Sequence, residues 1–351
     1  MKTLSVGSVM IDTIAIIDSR RIERMSMNNA ETAFLLLEEG RKIEATGIST
    51  HVGGGAANTA VCFARLGAEA HIFANVGDDA RADQALKALT GEGIDTQHVT
   101  RDAALPTGAS VMVASHDRNA STFTFRGANT ALTPPDAALP EIDLLHIAPL
   151  SNDAAAAFPQ FVALAKAKGA KVSANLGIRH LASRPQEVLA TLPDVDFFSM
   201  NLVEAAAFMP ALAPEGFGQT PADVEDEAIP YLSASGFDMP LPAFLQLLSD
   251  HSDAVIVVTD GAKGAYLWAD GELRYAPSHP TEIAGTAGAG DAFNATFAAF
   301  MAQGQSLAEA GKAASLNAAS VVGHIDTQTG LMRRADVDAA VRGSALELEV
   351  L

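Results

Sequence analysis

The chain has 351 residues, 48% of them hydrophobic, which is enough core for one large α/β domain or two smaller ones. Its 42 acidic residues outnumber 23 basic ones, for a net charge of −19, and no dense basic patch interrupts that bias; a surface built for duplex nucleic acid or an anionic membrane is excluded. Cys62 is the only cysteine, so disulfides and cysteine metal clusters are excluded too; no apolar run is long enough to span a membrane, Asp12 interrupts the one signal-like segment, and a cytoplasmic protein is expected.

Residues 3–17 read as a strand, with Gly7-Ser8 and then Asp12 set in an otherwise apolar run. A charge near a strand end sits where α/β folds place ligand residues, and an exposed strand terminus would account for it equally. Residues 17–50 break the rhythm. They are polar apart from Phe34-Leu35-Leu36-Leu37, and Glu38-Glu39-Gly40-Arg41 looks like a hairpin turn, so a two-stranded excursion is predicted. Gly53-Gly54-Gly55-Ala56-Ala57-Asn58 follows, then a helix of small and apolar residues ending at Arg65-Leu66-Gly67, and a strand at 71–76. Three glycines would let a ligand approach the backbone closely, and Asn58 can both donate to and accept from sugar-type hydroxyls. The segment also fits a dinucleotide fingerprint loosely, with Asn58 in place of the third glycine.

A second alternating stretch, 107–125, reads as a hairpin turning at Asp117-Arg118-Asn119. Paired with the earlier excursion, it would make a small lid sheet. The strand–helix rhythm resumes from Arg126-Gly127-Ala128-Asn129, with strands at 144–147, 171–175 and 196–200. Asn201-Leu202-Val203-Glu204 then opens a helix. Asn201 and Glu204 share one helix face and could hold hydrated Mg²⁺, although a plain capping box needs the same two residues. Residues 210–238 are rich in Pro, Gly, Ser and acid and look like an inserted loop. A buried strand at 254–258 leads into Thr259-Asp260-Gly261-Ala262-Lys263-Gly264, a turn that lines a nucleotide site or simply joins two strands.

Gly285-Thr286-Ala287-Gly288-Ala289-Gly290-Asp291 runs into a helix with apolar residues at helical spacing. The first N–H groups of a helix have no internal partner and sit at the positive end of its dipole, so Gly288, Ala289 and Gly290 offer an anion site suited to phosphate. An Asp beside bound phosphate makes little sense for binding alone. It makes sense if Asp291 takes a proton from an attacking hydroxyl; a simple N-capping Asp is the competing explanation.

In this order the segments resemble the ribokinase (PfkB-type) family of small-molecule kinases over almost the whole chain. The resemblance rests on residues 53–67, on Asn201…Glu204, on Thr259-x-Gly261-x-x-Gly264 and on Gly288-Ala289-Gly290-Asp291, with Asp12 and Gly127-Ala128-Asn129 in support. It implies a single ribokinase-like α/β domain over 1–351: a central, mostly parallel sheet flanked by helices, with a small β-sheet lid from segments 13–52 and 96–127. In that pattern Asp291 is the general base that activates an acceptor hydroxyl for attack on the γ-phosphate of ATP, and the 288–290 amides form the anion hole. Asn201 and Glu204 organise Mg²⁺; Asp12, Gly54, Asn58 and Asn175 grip the acceptor; Thr259, Gly261, Gly264 and Asn317 lie along the nucleotide. The lid would double as a homodimer interface.

The chain departs from the family pattern at three places. Gly285 stands where many members carry an Asp that helps bind a monovalent cation, which puts K⁺ activation in doubt. The D-x-N-x-R pattern is reduced to Asn175, and the 210–238 insertion is long. The expected function is phosphorylation of a small sugar or polyol, with an adenosine-type nucleoside kinase as the alternative. A nicotinamide-dependent oxidoreductase built on the Gly53 loop would leave the Asp291 loop unexplained.

Overall fold

A computed structural model describes the chain apart from residues 18–22, 27–32, 37–39, 41, 116–119, 136–138, 214–228 and 235–236. Its centre is the strand Lys2–Val6, flanked on one side by Glu69–Gly77 and on the other by Leu144–Ile147, all parallel. From Glu69–Gly77 the sheet continues to an edge at Asp95–Asp102. In the other direction it runs through Lys171–Asn175, Phe197–Asn201 and Val255–Thr259. Three antiparallel strands, Ala265–Ala269, Glu272–Ala276 and Glu349–Val350, complete ten.

The central strands are apolar because both faces are covered. Successive side chains alternate across the pleat, so Leu144 joins one core cluster with Phe63, Ile72 and Phe297. Leu145 joins the other, with Phe158, Phe161, Phe198 and Phe244. The chain leaves the Lys2–Val6 strand toward one edge and later returns to build the other way. That reversal makes the gap between Lys2–Val6 and Leu144–Ile147 a topological switch point, where α/β sheets open a crevice at their strand ends.

A second, four-stranded sheet stands apart, in the order Ala45–Gly53, Met10–Ile17, Gly108–Ser115, Ala120–Phe125. The two predicted excursions do pair, through Met10–Ile17, which lies antiparallel to the first strand and parallel to the third. Its limits differ from those expected. Residues 3–17 are two strands, because Gly7, at φ 147°, turns the backbone between them; Asp12 therefore belongs to the small sheet. Residues 95–102 pair with the main sheet as its edge, so the second excursion begins only at Gly108. A separate ribbon pairs Glu23–Ser26 with Ala33–Leu36. Of the two predicted hairpin turns, 117–119 lies outside the described residues, as does 38–41 apart from Gly40.

The stretch read as an inserted loop is partly ordered structure. The helix Leu202–Leu212 runs into it, and Tyr231–Ala234 pairs antiparallel with Phe237–Pro240. Leu232 and Met239 are buried in the core, so apolar contact rather than local turn chemistry decides this segment. Residues 214–228 of the expected loop lie outside the described residues.

Candidate active site

The helix Ala289–Ala302 begins at Gly288, whose φ of 82° is left-handed backbone, and a side chain there would come within 2.7 Å of the Thr327 side chain. The first bond of this helix runs from the Ala292 N–H to the Gly288 carbonyl at 2.9 Å. The N–H groups before it have no partner within the helix. Gly290 differs from Gly288: it is exposed, and an added Cβ would meet nothing within 4 Å. Packing does not require glycine at 290, where the space a side chain would take is open.

Asp291 is not the helix cap. Its Oδ2 accepts a 2.7 Å hydrogen bond from Nδ2 of Asn58, 233 residues earlier in the chain. Burial pushes the Asp291 carboxyl up to about 6; the Asn58 bond pulls it down, and the negative charge of Glu204 pushes it further up. A carboxylate with that affinity is ionised at neutral pH and still basic enough to accept a proton, as a general base requires.

Asn58 lies on the helix Gly55–Arg65 and is 4% exposed. Its oxygen accepts from Thr327 Oγ1 at 2.9 Å and from Gln328 Nε2 at 3.1 Å. The last turn of the same helix carries Arg65, which donates to the Gln328 carbonyl at 2.6 Å and the Leu331 carbonyl at 2.9 Å. The same guanidinium forms a two-bond pair with Glu92 at 2.6 and 3.1 Å.

The glycines at 53–55 face protein. A side chain on Gly53 would lie 1.8 Å from the Asp12 carboxylate; on Gly54, 2.5 Å from the Ser8 carbonyl; on Gly55, 2.8 Å from the Ala148 side chain. Ser8 also takes up the loop amides: its carbonyl accepts from Ala56 and Ala57, and its hydroxyl from Gly55. Asp12 is held by the Ser110 hydroxyl at 2.5 Å and faces His51 across the strand pair. Burial raises its carboxyl above the ordinary range, while Ser110 and His51 pull it down. His51 in turn reaches to 3.9 Å from Asp326, linking the small sheet to the loop that holds Asn58.

Asn175, Asn201 and Thr259 end three neighbouring parallel strands, and Asn201 pairs directly with Thr259. Asn201 and Glu204 form a reciprocal capping box: each backbone N–H donates to the other's side chain at 2.8 Å. Burial raises the Glu204 carboxyl, offset by bonds from the Asn201 backbone, the Asn175 amide and the Ile178 backbone. Asn175, which bonds the Glu204 carboxylate, also donates to the Ser199 carbonyl at 2.9 Å. Among the described residues no three His, Cys, Asp or Glu side chains cluster as a metal cage. One carboxylate and an amide do fit Mg²⁺, which keeps most of its own water.

Thr259 to Gly264 is the turn between the last parallel strand and the first antiparallel one. At Gly264, φ 113°, a side chain would lie 2.3 Å from the Ala276 carbonyl oxygen, whereas Gly261 faces open space. Asn317 stands apart from the others. It is fully buried in the helix Leu307–Val322, donates to Thr296 at 2.8 Å, accepts from the Met332 N–H at 2.9 Å, and has no surface to offer a nucleotide. At Gly285 a side chain would come within 2.9 Å of the His324 carbonyl, so the backbone here leaves no room for the Asp that the family resemblance would place at this position.

Sequence reasoning missed Ser8, Ser110, Thr327 and Gln328. The last two sit in Asp326-Thr327-Gln328-Thr329-Gly330, where Asp326 accepts from the N–H groups of Gln328 and Thr329 at 2.9 and 2.8 Å. An Asp followed by polar residues and Gly is a readable turn signal, but not a sign of what the turn touches. Arg126 is half-buried, with its charge disfavoured first by burial and then by neighbouring Arg179. Neither has an ion-pair partner among the described residues.

A carboxylate at the mouth of a helix, beside the switch point of a doubly wound sheet and next to a small second sheet, suits the chemistry of phosphoryl transfer to a small molecule. Residues 2–334 match the pfkB family of carbohydrate kinases, and the chain belongs to that family: it is a sugar kinase of the ribokinase-like fold. It is 26% identical over 325 residues to the deoxyribokinase of Salmonella typhi, across 90% of this chain and 94% of that one. Its fold is similar to that of Arabidopsis thaliana ribokinase complexed with ribose and ATP, with a TM-score of 0.72 and 22% identity over 98% of this chain and 99% of that one. The nucleoside kinase of Methanocaldococcus jannaschii, an archaeal member of the ribokinase family, has a TM-score of 0.71 at 21% identity over 98% and 99% of the two chains.

Proposed function

We propose that the protein transfers the γ-phosphoryl group of ATP to a hydroxyl of a small unphosphorylated sugar, with Asp291 as general base. The observation that carries this is the pairing of a carboxyl raised to about 6 with unpartnered helix amides over open space at Gly290. Asp291 removes the acceptor's proton as its oxygen attacks, and the amides of Gly288, Ala289 and Gly290 receive the phosphoryl charge. Asn201 and Glu204 hold a hydrated Mg²⁺, which neutralises phosphate charge when bound. Asp12 and the Gly54 loop line the acceptor side, and Thr259, Gly261 and Gly264 the nucleotide side. The lack of room at Gly285 supports turnover that does not depend on K⁺.

The test is ADP release from Mg·ATP across a panel of sugars, sugar acids, sugar phosphates and nucleosides, in Na⁺ and in K⁺, with Asp291→Asn in parallel. One acceptor should stimulate release in either salt, and the variant should lose roughly 10²–10⁴ of the turnover. Near-normal turnover in Asp291→Asn would remove it from the mechanism. A second reading, an anionic acceptor, is favoured by Arg126 and Arg179, two cations without an ion-pair partner among the described residues of a strongly acidic chain. Preference for acids or phosphates over neutral sugars would establish it; a nucleoside preference would set both aside.

The protein also dimerises through the small sheet in this reading. Ile48, Val111, Phe123 and Phe125 share one face by strand register and are 45–70% exposed. Sedimentation should show a dimer that Phe123→Ser weakens; a native monomer would end the idea.

A further inference from the structure

We infer that the 326–330 loop is a positioning element for the catalytic base: Thr327 and Gln328 fix the Asn58 amide so that its N–H is presented to Asp291. The inference rests on the reading of Asp291 as base. It adds that the geometry of the base is set from a loop outside the motifs named above.

The orientation of Asn58 follows from donor and acceptor chemistry. An ionised carboxylate can only accept, so the Asn58 group 2.7 Å from Asp291 must be its NH₂. The opposite end must then be the oxygen, and it receives two donors, the Thr327 hydroxyl and the Gln328 amide. Each donor alone would leave the amide plane free to tilt; two from different directions hold it. Asn58 is 4% exposed, so water has little access to replace either bond.

The loop is itself held on several sides. Asp326 caps the N–H groups of Gln328 and Thr329. Arg65 grips the carbonyls of Gln328 and Leu331 from the end of the helix that carries Asn58. Gly330 lies where a side chain would meet the Ser320 carbonyl at 2.4 Å, and Thr327 packs so close to Gly288 that only glycine fits opposite it. One loop residue therefore touches both the amide that orients the base and the residue that starts the base's helix. The titratable and charged groups that act on the base are few: Glu204 raises its proton affinity, the Asn58 bond lowers it, and the buried Cys62 thiol, itself pushed up to about 12 by burial, stays neutral nearby.

The experiment is the pH profile of kcat, with KM for ATP and for the acceptor, for Asn58→Ala, Thr327→Val and Thr327→Ser. Losing the bond that favours the ionised base should move the acid limb of Asn58→Ala upward by about one pH unit. Thr327→Val should shift it the same way by less and lower kcat about tenfold, with KM for ATP unchanged. Thr327→Ser, which keeps the hydroxyl, should restore both. Should Asn58→Ala not fold, the Thr327 pair decides alone. An acid limb unmoved in every variant that folds would overturn the inference, as would an effect confined to acceptor KM, which would make Asn58 an acceptor ligand instead. Asp291→Asn separates the two ideas: if it keeps turnover, the reading of the base fails; if it is inactive while these profiles stay fixed, only the inference does.

Discussion

Two glycine-rich loops open two helices in this protein, and they look alike in sequence but work in opposite ways. At Gly53-Gly54-Gly55 each glycine is where it is because another part of the protein would strike a side chain, and Ser8 takes up the amides that follow. At Gly288-Ala289-Gly290 only the first glycine is required by packing, and Gly290 faces empty space. The first loop folds the chain onto itself and seats Asn58; the second leaves its backbone available. A run of glycines records close approach, and what approaches, protein or ligand, is a property of the assembled fold.

The largest effect that would sharpen this contrast is at Asp291. Besides the loss of turnover, Asp291→Asn should be the more stable protein at neutral pH. A carboxyl raised from 3.8 to about 6 binds its proton more tightly when folded. Stability therefore falls as pH rises through that window, and the ionised form costs up to about 3 kcal/mol above it. Thermal melts from pH 4 to 8 should show the native protein losing stability relative to the variant as pH rises. Parallel curves would contradict the buried-charge account. Wild-type turnover should fall in turn as pH drops below about 6.

Gly54→Ala should produce the next largest change, a loss of about 3 kcal/mol in urea unfolding. The residue has φ 98° and a new Cβ would lie 2.5 Å from the Ser8 carbonyl. Gly290→Ala, the matching change in the other loop, should be neutral or stabilising by about 0.5–1 kcal/mol, because a helix position gains from alanine where space is open. Its cost should appear in function, as a raised KM for ATP or a lowered kcat. If Gly290→Ala unfolded the protein and Gly54→Ala did not, the comparison would be reversed.

Much of the fold was legible because its signals are local. Apolar strands alternating with helix-like segments announce a parallel sheet, and the excursions read at 17–50 and 107–125 announce a small sheet of their own, whose strands fall at 45–53 and 108–125. Boundaries were less readable. Residues 3–17 look like one strand, and only the two sheets pulling on either side of Gly7 divide them. The hairpin at 231–240 hides in loop-like composition, since two buried side chains, Leu232 and Met239, outweigh its turn residues.

By itself the sequence determined the helix mouth at Gly288–Asp291, the pairing of Asn201 with Glu204 and the kind of chemistry these residues offer. Each depends on neighbours within a few positions, and short-range geometry follows from residue type. Only the tertiary structure decided that Asn58 meets Asp291, that Thr327 and Gln328 hold Asn58, and that Asn317 is sealed in the core. The Asn58 contacts join residues 233 to 270 positions apart, and no local propensity encodes them. They arise when two core clusters pack on opposite faces of one sheet and bring the ends of distant strands and helices to the same crevice.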